Sequence, residues 1–154
     1  NSISPFLKKH HKRALVLGTG GASKAVAYAL KKNDIKVKFV SRKPQSKKQI
    51  SYQEITEEVL KKYTVIVNCT PLGTSPEIEK CPDIPYLFLT SKHLLFDLIY
   101  NPEVTTFLKN GLEKGATIKN GYKMLELQAD GLASCRKLRR TCCRHRQATV
   151  SQGE

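Results

Sequence analysis

RALVLGTGGASKA, residues 13–25, runs from a short apolar stretch through a glycine cluster into small residues at helical spacing. Arg13–Leu17 is apolar and ends abruptly at glycine, as a buried parallel strand does. From Ala22 to Lys32 the residues Ala22, Ala25, Val26, Ala29 and Leu30 recur at helical spacing, and Asn33-Asp34 closes the segment with turn chemistry. Between strand and helix, Gly18 permits a tight turn. Gly20 lets backbone approach an anion with no Cβ in the way. A helix opening near Gly21 aims free N–H groups and a partial positive charge at the same point. Ala22 and Ser23 stand where a small residue allows close helix–strand contact. With Thr19 completing the turn, Gly18–Ala22 reads as a pyrophosphate cradle of a dinucleotide site.

Outward from this unit the alternation continues. Strands are expected at Lys36–Ser41, Gln49–Tyr52 (short, near an edge), Val65–Cys69, His93–Ile99 and Ala116–Lys119. Thr56 caps a helix whose acids (Glu57, Glu58) precede its lysines (Lys61, Lys62), the order that complements the helix dipole. Pro102 is expected to start another helix, with Val104, Phe107, Leu108 and Leu112 as its apolar stripe and Gly115 as its stop. The stretch 70–92 holds four prolines and reads as loop with a short helical piece near Pro85–Leu89. Strand and helix in this order specify an α/β fold. We expect a doubly wound, mostly parallel, six-stranded sheet with helices on both faces and right-handed crossovers.

The end of the second strand bears on which dinucleotide is bound. A site for the unphosphorylated coenzyme presents Asp or Glu there to the ribose hydroxyls. Here the strand runs into Ser41-Arg42-Lys43 with no acid nearby. A guanidinium at Arg42 offers a planar fork to a 2′-phosphate, and Lys43 or Lys47 adds charge. The reading is NADP.

Composition bounds the remaining possibilities. The net charge of +14 raises the question of nucleic acid, but the body lysines (Lys31, Lys32, Lys61, Lys62) are scattered over helix faces and loops. Nucleic acid is therefore not expected as a partner. No apolar run approaches a membrane span, and NSISPFLKKHHKR lacks the apolar stretch of a secretory signal. A cytoplasmic location with reduced thiols is expected. Cys69 and Cys81 have no metal-ligand spacing, and Cys142, Cys143 and His145 sit in an arginine-rich, apolar-poor segment. No metal site is expected.

After Asp130 the basic residues change from lysine to arginine, and GLASCRKLRRTCCRHRQATVSQGE has no apolar period. A change of coding origin would produce such a segment; a native basic tail for an anionic partner is the alternative. Disorder or a frayed helix extension is expected in either case.

Four segments together resemble the cofactor domain of shikimate dehydrogenases: GTGGASKA (18–25), NCTPLGT (68–74), FDLIYNPEVTTFL (96–108) and NGYKMLELQA (120–129). Their order and spacing match too, over about residues 12–129. The resemblance implies a Rossmann-like NADP-binding domain over 12–130, preceded by the end of an inter-domain linker helix (1–11); the basic tail (131–154) departs from the family and is read as non-native or disordered. It implies that Thr70 and Pro71 wall the nicotinamide-side ribose, that Leu98 and Gly121 approach the nicotinamide and that Met124 packs nearby. Tyr100 and Gln128 would reach the substrate. Read without the family, Leu98 and Met124 could be core and Tyr100 a half-buried aromatic.

The implied activity is the reversible, NADP-dependent interconversion of shikimate and 3-dehydroshikimate in aromatic amino acid biosynthesis. In that family a separate N-terminal domain binds shikimate and supplies the catalytic lysine and aspartate. Nothing before Lys12 matches it, so no catalytic residue is assigned here and little turnover is expected from this stretch alone. A quinate/shikimate enzyme, or a non-catalytic NADP-binding module with a nucleic-acid-binding tail, are the alternatives. A homodimer through an uncovered interface is a further expectation. The chain departs from the family's usual Asn-Arg-Thr at Ser41-Arg42-Lys43, and from its frequent methionine at Thr74.

Overall fold

The structure is a computed structural model and describes residues 3–121. Its centre is a six-stranded sheet, every neighbouring pair parallel. The strands are β1 (Arg13–Leu17), β2 (Lys36–Val40), β3 (Gln49–Ile50), β4 (Val65–Asn68), β5 (Leu94–Asp97) and β6 (Thr117–Lys119), in the order β3-β2-β1-β4-β5-β6. The chain winds outward from β1 to β3, then crosses back to lay β4 on the other side of β1. The order reverses between β1 and β4, where open α/β sheets bind ligands outside the carboxyl ends of their strands.

β4 and β5 are buried along their whole length, and β1 everywhere but Arg13. This explains why they read as apolar runs rather than alternations. Successive side chains nonetheless go to opposite faces. Leu15, Leu17, Ile66 and Leu95 pack with Leu60 of α2 (Glu57–Lys62) and with Phe107 and Leu108 of α3 (Thr106–Glu113). Ala14, Val16, Val65, Val67, Leu94 and Phe96 pack with Val26 and Leu30 of α1 (Gly21–Lys31). Helices therefore cover both faces, as expected.

Several boundaries differ from the sequence reading. The second, fourth and fifth strands end one or two residues early, because residues such as Ser41, Cys69 and Leu98 already turn into the loops over the sheet edge. Pro102 does not begin a helix. α3 starts only after Thr105, whose hydroxyl accepts from the Leu108 N–H at 3.3 Å and is itself anchored to Asp97. Of the expected stripe, Phe107 and Leu108 are buried but Val104 and Leu112 are about half exposed. The inward face instead includes Gly111, where any Cβ would run into the Leu95 side chain. That close seat turns Leu112 outward.

Residues 3–11 hold a single 3-10 turn, Ser4–Phe6, where the end of a linker helix was expected. Pro5 fits its first turn, but Leu7 is extended. Ile3 is buried against the second face of the sheet, and His11 is held through the Lys92 carbonyl. Between β4 and β5 the chain is loop plus the 3-10 turn Tyr86–Phe88, matching the helical piece expected there.

Candidate cofactor-binding site

The carboxyl ends of the strands bring the expected residues to one edge of the sheet. Gly18 leaves β1 with φ +104°, a region open mainly to glycine, and its N–H donates to the Val40 carbonyl at 2.9 Å. A Cβ there would stand 3.3 Å from the Cys69 carbonyl oxygen and 3.5 Å from the Thr70 methyl. The turn is thus pressed against the end of β4, which places Thr70 next to the glycine loop.

Gly20 caps α1 and Gly21 is its first residue, and neither has any atom within 4 Å of the Cβ it lacks. Their freedom is therefore not used for internal packing. It leaves room for a ligand to approach the backbone. α2 and α3 are capped by the hydroxyls of Thr56 and Thr105, whereas α1 has no side-chain cap and no acid in its first turn. Its leading N–H groups remain available to an anion. Ser23, fully buried, is the small residue that lets α1 sit on the sheet, and it donates to the Gly20 carbonyl at 2.5 Å. Ala22, expected to share that role, is exposed.

Beside this loop lies a cleft of about 670 Å³ lined by Thr19, Lys24, Ser41, Arg42, Lys43, Gln45 and Gln49. Ser41, Arg42 and Lys43 lie here as expected. Lys24, Gln45 and Gln49 were missed, although Lys24 stands only four residues beyond Gly20, on the first turn of the helix that opens at the glycine loop. No carboxylate lines the cleft. Among the described residues the ion pairs are Lys61–Glu57 and Lys80–Glu77, so the three cations keep their charge uncompensated.

The cleft wall is pinned by its own backbone and side chains. The Ser41 hydroxyl accepts from the Lys43 N–H at 3.2 Å, and the Gln49 side-chain oxygen accepts from the Gln45 N–H at 2.8 Å. Ser41 thereby supplies a turn-stabilising acceptor where the family pattern has asparagine. Tyr52, partly buried, lies close enough to Arg42 to feel its charge. Burial raises the Tyr52 phenol's pKa and Arg42 draws it back down.

The other end of the site is built on β4 and β5. Thr70 donates its hydroxyl to the Asn68 side-chain oxygen at 2.6 Å, and Pro71 beside it is exposed. Leu98 is half-buried and Tyr100 is 48% exposed. Gly121 is buried against Leu98, whose carbonyl occupies the space a Cβ would need. Glycine is required there by backbone packing, in addition to whatever access it gives a ligand. Thr74 is exposed. Met124 and Gln128 lie outside the described residues, as does the tail after Asp130.

Beneath Thr70 and Leu98 sits Asp97, fully buried, which accepts from Asn68, Thr105 and Ile99. Burial raises its pKa and these hydrogen bonds oppose the rise. Burial likewise pushes the Cys69 thiol up to about 12, with Asp97 adding to the effect, so Cys69 is an inert thiol. The sequence carried a trace of the Asp97 role, since an acid closing an otherwise apolar strand needs a buried set of donors.

The described histidines sit at the opposite edge. His10 and His11 both reach the Lys92 carbonyl, and His93 precedes β5. None of these three stands at the carboxyl ends of the strands. Among the described residues no group of three or more His, Cys, Asp or Glu could hold a metal ion. No helix among them is long and apolar enough to cross a membrane.

No family model matches the sequence. The chain is 33% identical over 134 residues to the NADP(+) shikimate dehydrogenase of Desulforamulus reducens, covering 76% of this chain and 46% of that protein. The chorismate mutase/shikimate 5-dehydrogenase fusion protein of Clostridium acetobutylicum superposes with a TM-score of 0.66 at 36% identity, covering 80% of this chain and 47% of that one. Shikimate 5-dehydrogenase of Thermus thermophilus, solved with NADP(H) and shikimate, gives 0.66 at 27% identity over 80% of this chain and 48% of its own. The chain spans about half the length of the curated relatives it matches.

Proposed function

We propose, from homology to shikimate dehydrogenases over about three quarters of the chain, that this protein binds NADP(H) across the carboxyl edge of its sheet. It would serve as the cofactor half of an enzyme interconverting shikimate and 3-dehydroshikimate. The observation that carries the reading is the pairing of an open, uncapped glycine loop with an acid-free cleft holding Arg42, Lys43 and Lys24. The loop suits a pyrophosphate, and the cleft beside the end of β2 suits a 2′-phosphate.

Bound there, the coenzyme supplies hydride transfer at its nicotinamide ring. The chain's own residues bind and orient it. Thr19 and the Gly20–Ala22 backbone would hold the pyrophosphate, Arg42 would offer its fork to the 2′-phosphate, and Ser41 and Lys43 would frame it. Thr70, Pro71, Leu98, Gly121 and Met124 would wall the nicotinamide end. Tyr100 and Gln128 would reach the substrate hydroxyls, and half-exposed Tyr100 is free to do so. A proton transfer coupled to the hydride needs an acid–base group within hydrogen-bond reach of the substrate hydroxyl. None is assigned in this chain, so residues 12–130 acting alone should bind the coenzyme and turn over little shikimate.

Titration of the full chain with NADPH, followed by its fluorescence, and with NADH in parallel, tests the reading. Saturable binding with NADPH preferred supports it. Equal or absent binding of the two rejects it. A shikimate oxidation assay on the same preparation then tests the division of labour, because robust turnover would place an unrecognised catalytic group in this chain.

A further inference from the structure

We propose that Asp97 is a positioning residue for the nicotinamide half of the site, holding three separate loop segments through one carboxylate. The proposal rests on the NADP reading above and names a residue to which that reading gives no role.

The geometry begins with sheet register. Asn68 and Asp97 end adjacent strands and are direct partners in the β4–β5 ladder. Both are fully buried. The Asn68 amide donates to both Asp97 carboxylate oxygens, at 3.1 and 3.2 Å. The Thr105 hydroxyl donates to Oδ2 at 2.6 Å and the Ile99 N–H to Oδ1 at 3.0 Å. Each carboxylate oxygen thus receives two hydrogen bonds, a pattern an acceptor-only group satisfies. No lysine or arginine pairs with Asp97 among the described residues. Burying a carboxylate without a cation is costly, and a full set of donors is what offsets it.

The donors identify what is being held. Asn68 turns its own oxygen to the Thr70 N–H at 3.0 Å and the Thr70 hydroxyl at 2.6 Å, and its amide also reaches the Leu72 carbonyl at 3.4 Å. The loop after β4 is thereby fixed through Asn68. Ile99 fixes the segment that carries Leu98 and Tyr100. Thr105 fixes the start of α3, and through it the bends at 101–104. Thr70, Pro71, Leu98 and Tyr100 all ride on these segments. The adenosine-side cleft is built from β1, β2, β3 and α1, and none of its lining residues hydrogen-bonds to Asp97 or Asn68. Asp97 accordingly governs one half of the coenzyme site and not the other.

This division sets the experiment. The full chain and its Asp97→Asn, Thr105→Val and Thr105→Ser variants are titrated with NADPH and with 2′,5′-ADP, which carries the adenosine and 2′-phosphate but no nicotinamide. An asparagine at position 97 places an amide group against the Asn68 amide or the Thr105 hydroxyl. Valine at position 105 removes one donor, and serine restores it. Asp97→Asn should weaken NADPH about tenfold or more while changing 2′,5′-ADP by no more than about twofold. Thr105→Val should do the same to a smaller degree, and Thr105→Ser should bind like the parent.

Equal loss of both ligands in the folded Thr105→Val protein, or unchanged NADPH binding in either that variant or Asp97→Asn, overturns the proposal. Should Asp97→Asn fail to fold by circular dichroism, the valine and serine pair at position 105 decides. A parent chain that binds neither ligand would sink the NADP reading itself, a result distinct from any of these.

Discussion

The bare Cα of Gly121 lies against the backbone of Leu98, and the Leu98 carbonyl fills the space that a side chain at position 121 would enter. This contact locks the segment after β6 onto the segment after β5. Gly121→Ala should force the two backbones apart and cost about 1–3 kcal/mol, the range for overpacking a tight site. Urea unfolding of the two proteins measures it, and an unchanged midpoint would show that the segments are not closely seated in solution.

Gly20→Ala should behave in the opposite way. The missing Cβ at position 20 meets nothing within 4 Å, and its φ of −73° suits alanine. Stability should stay within about 1 kcal/mol of the parent, while NADPH affinity falls at least about tenfold because a methyl group intrudes where the pyrophosphate approaches. Loss of stability without loss of affinity would mean that the open space serves the fold and not a ligand.

Arg42→Ala should weaken NADPH by about 1.5–3 kcal/mol, the worth of a hydrogen bond to a charged group, and leave NADH nearly unchanged. Lys24→Gln, from across the same cleft, should have the same selectivity with a smaller loss, because an ammonium acts as a point charge without the bidentate fork. Both differences should shrink at high salt. Equal losses for the two coenzymes would show that these cations do not read the 2′-phosphate.

Acid should destabilise the fold through its buried histidines. His93 accepts the Thr90 N–H on Nδ1 and contacts the Leu60 carbonyl through Nε2, so Nε2 carries the proton. His11 repeats the pattern with the Lys8 N–H and the Lys92 carbonyl. Burial lowers both pKa values below the ordinary 6.5, and a second ring proton would face a backbone N–H. Below pH 6.5 the unfolded chain takes up protons that the folded chain refuses, so stability is full above that pH and falls as pH drops toward the folded values. Asp97, raised by burial, acts with the opposite sign in the range above 3.8. Urea midpoints of the parent and of His93→Gln between pH 8 and 5.5 separate the two, the variant showing the shallower decline. A midpoint that rises on acidification in the parent would contradict the account.

Much of this was readable in the residues. The apolar run into Gly18 and the helical spacing after Gly21 specified β1, the turn and α1, because local sterics and burial pattern act over a few residues. Arg42 without a neighbouring acid marks in the sequence the cationic stretch that the fold brings into the cleft. Pro102 misled, since its fitness for a first helical turn is a local preference. The start of α3 was settled instead at Thr105, by a hydroxyl that finds Asp97 eight residues back in the chain. The stripe through Val104 and Leu112 failed for a similar reason, the close seat of Gly111 on Leu95 having turned the helix.

The order of residues alone determined the alternating architecture, the open glycine loop at the start of α1 and the charge character of the cleft, all products of short-range geometry and composition. Only the folded sheet decided that Asn68 would meet Asp97, that Lys24 would share a cleft with Arg42, and that Gly121 would close on Leu98. Those meetings depend on strand register and on crossovers that return distant segments to one edge. Such long-range adjacency leaves no periodic mark in the chain.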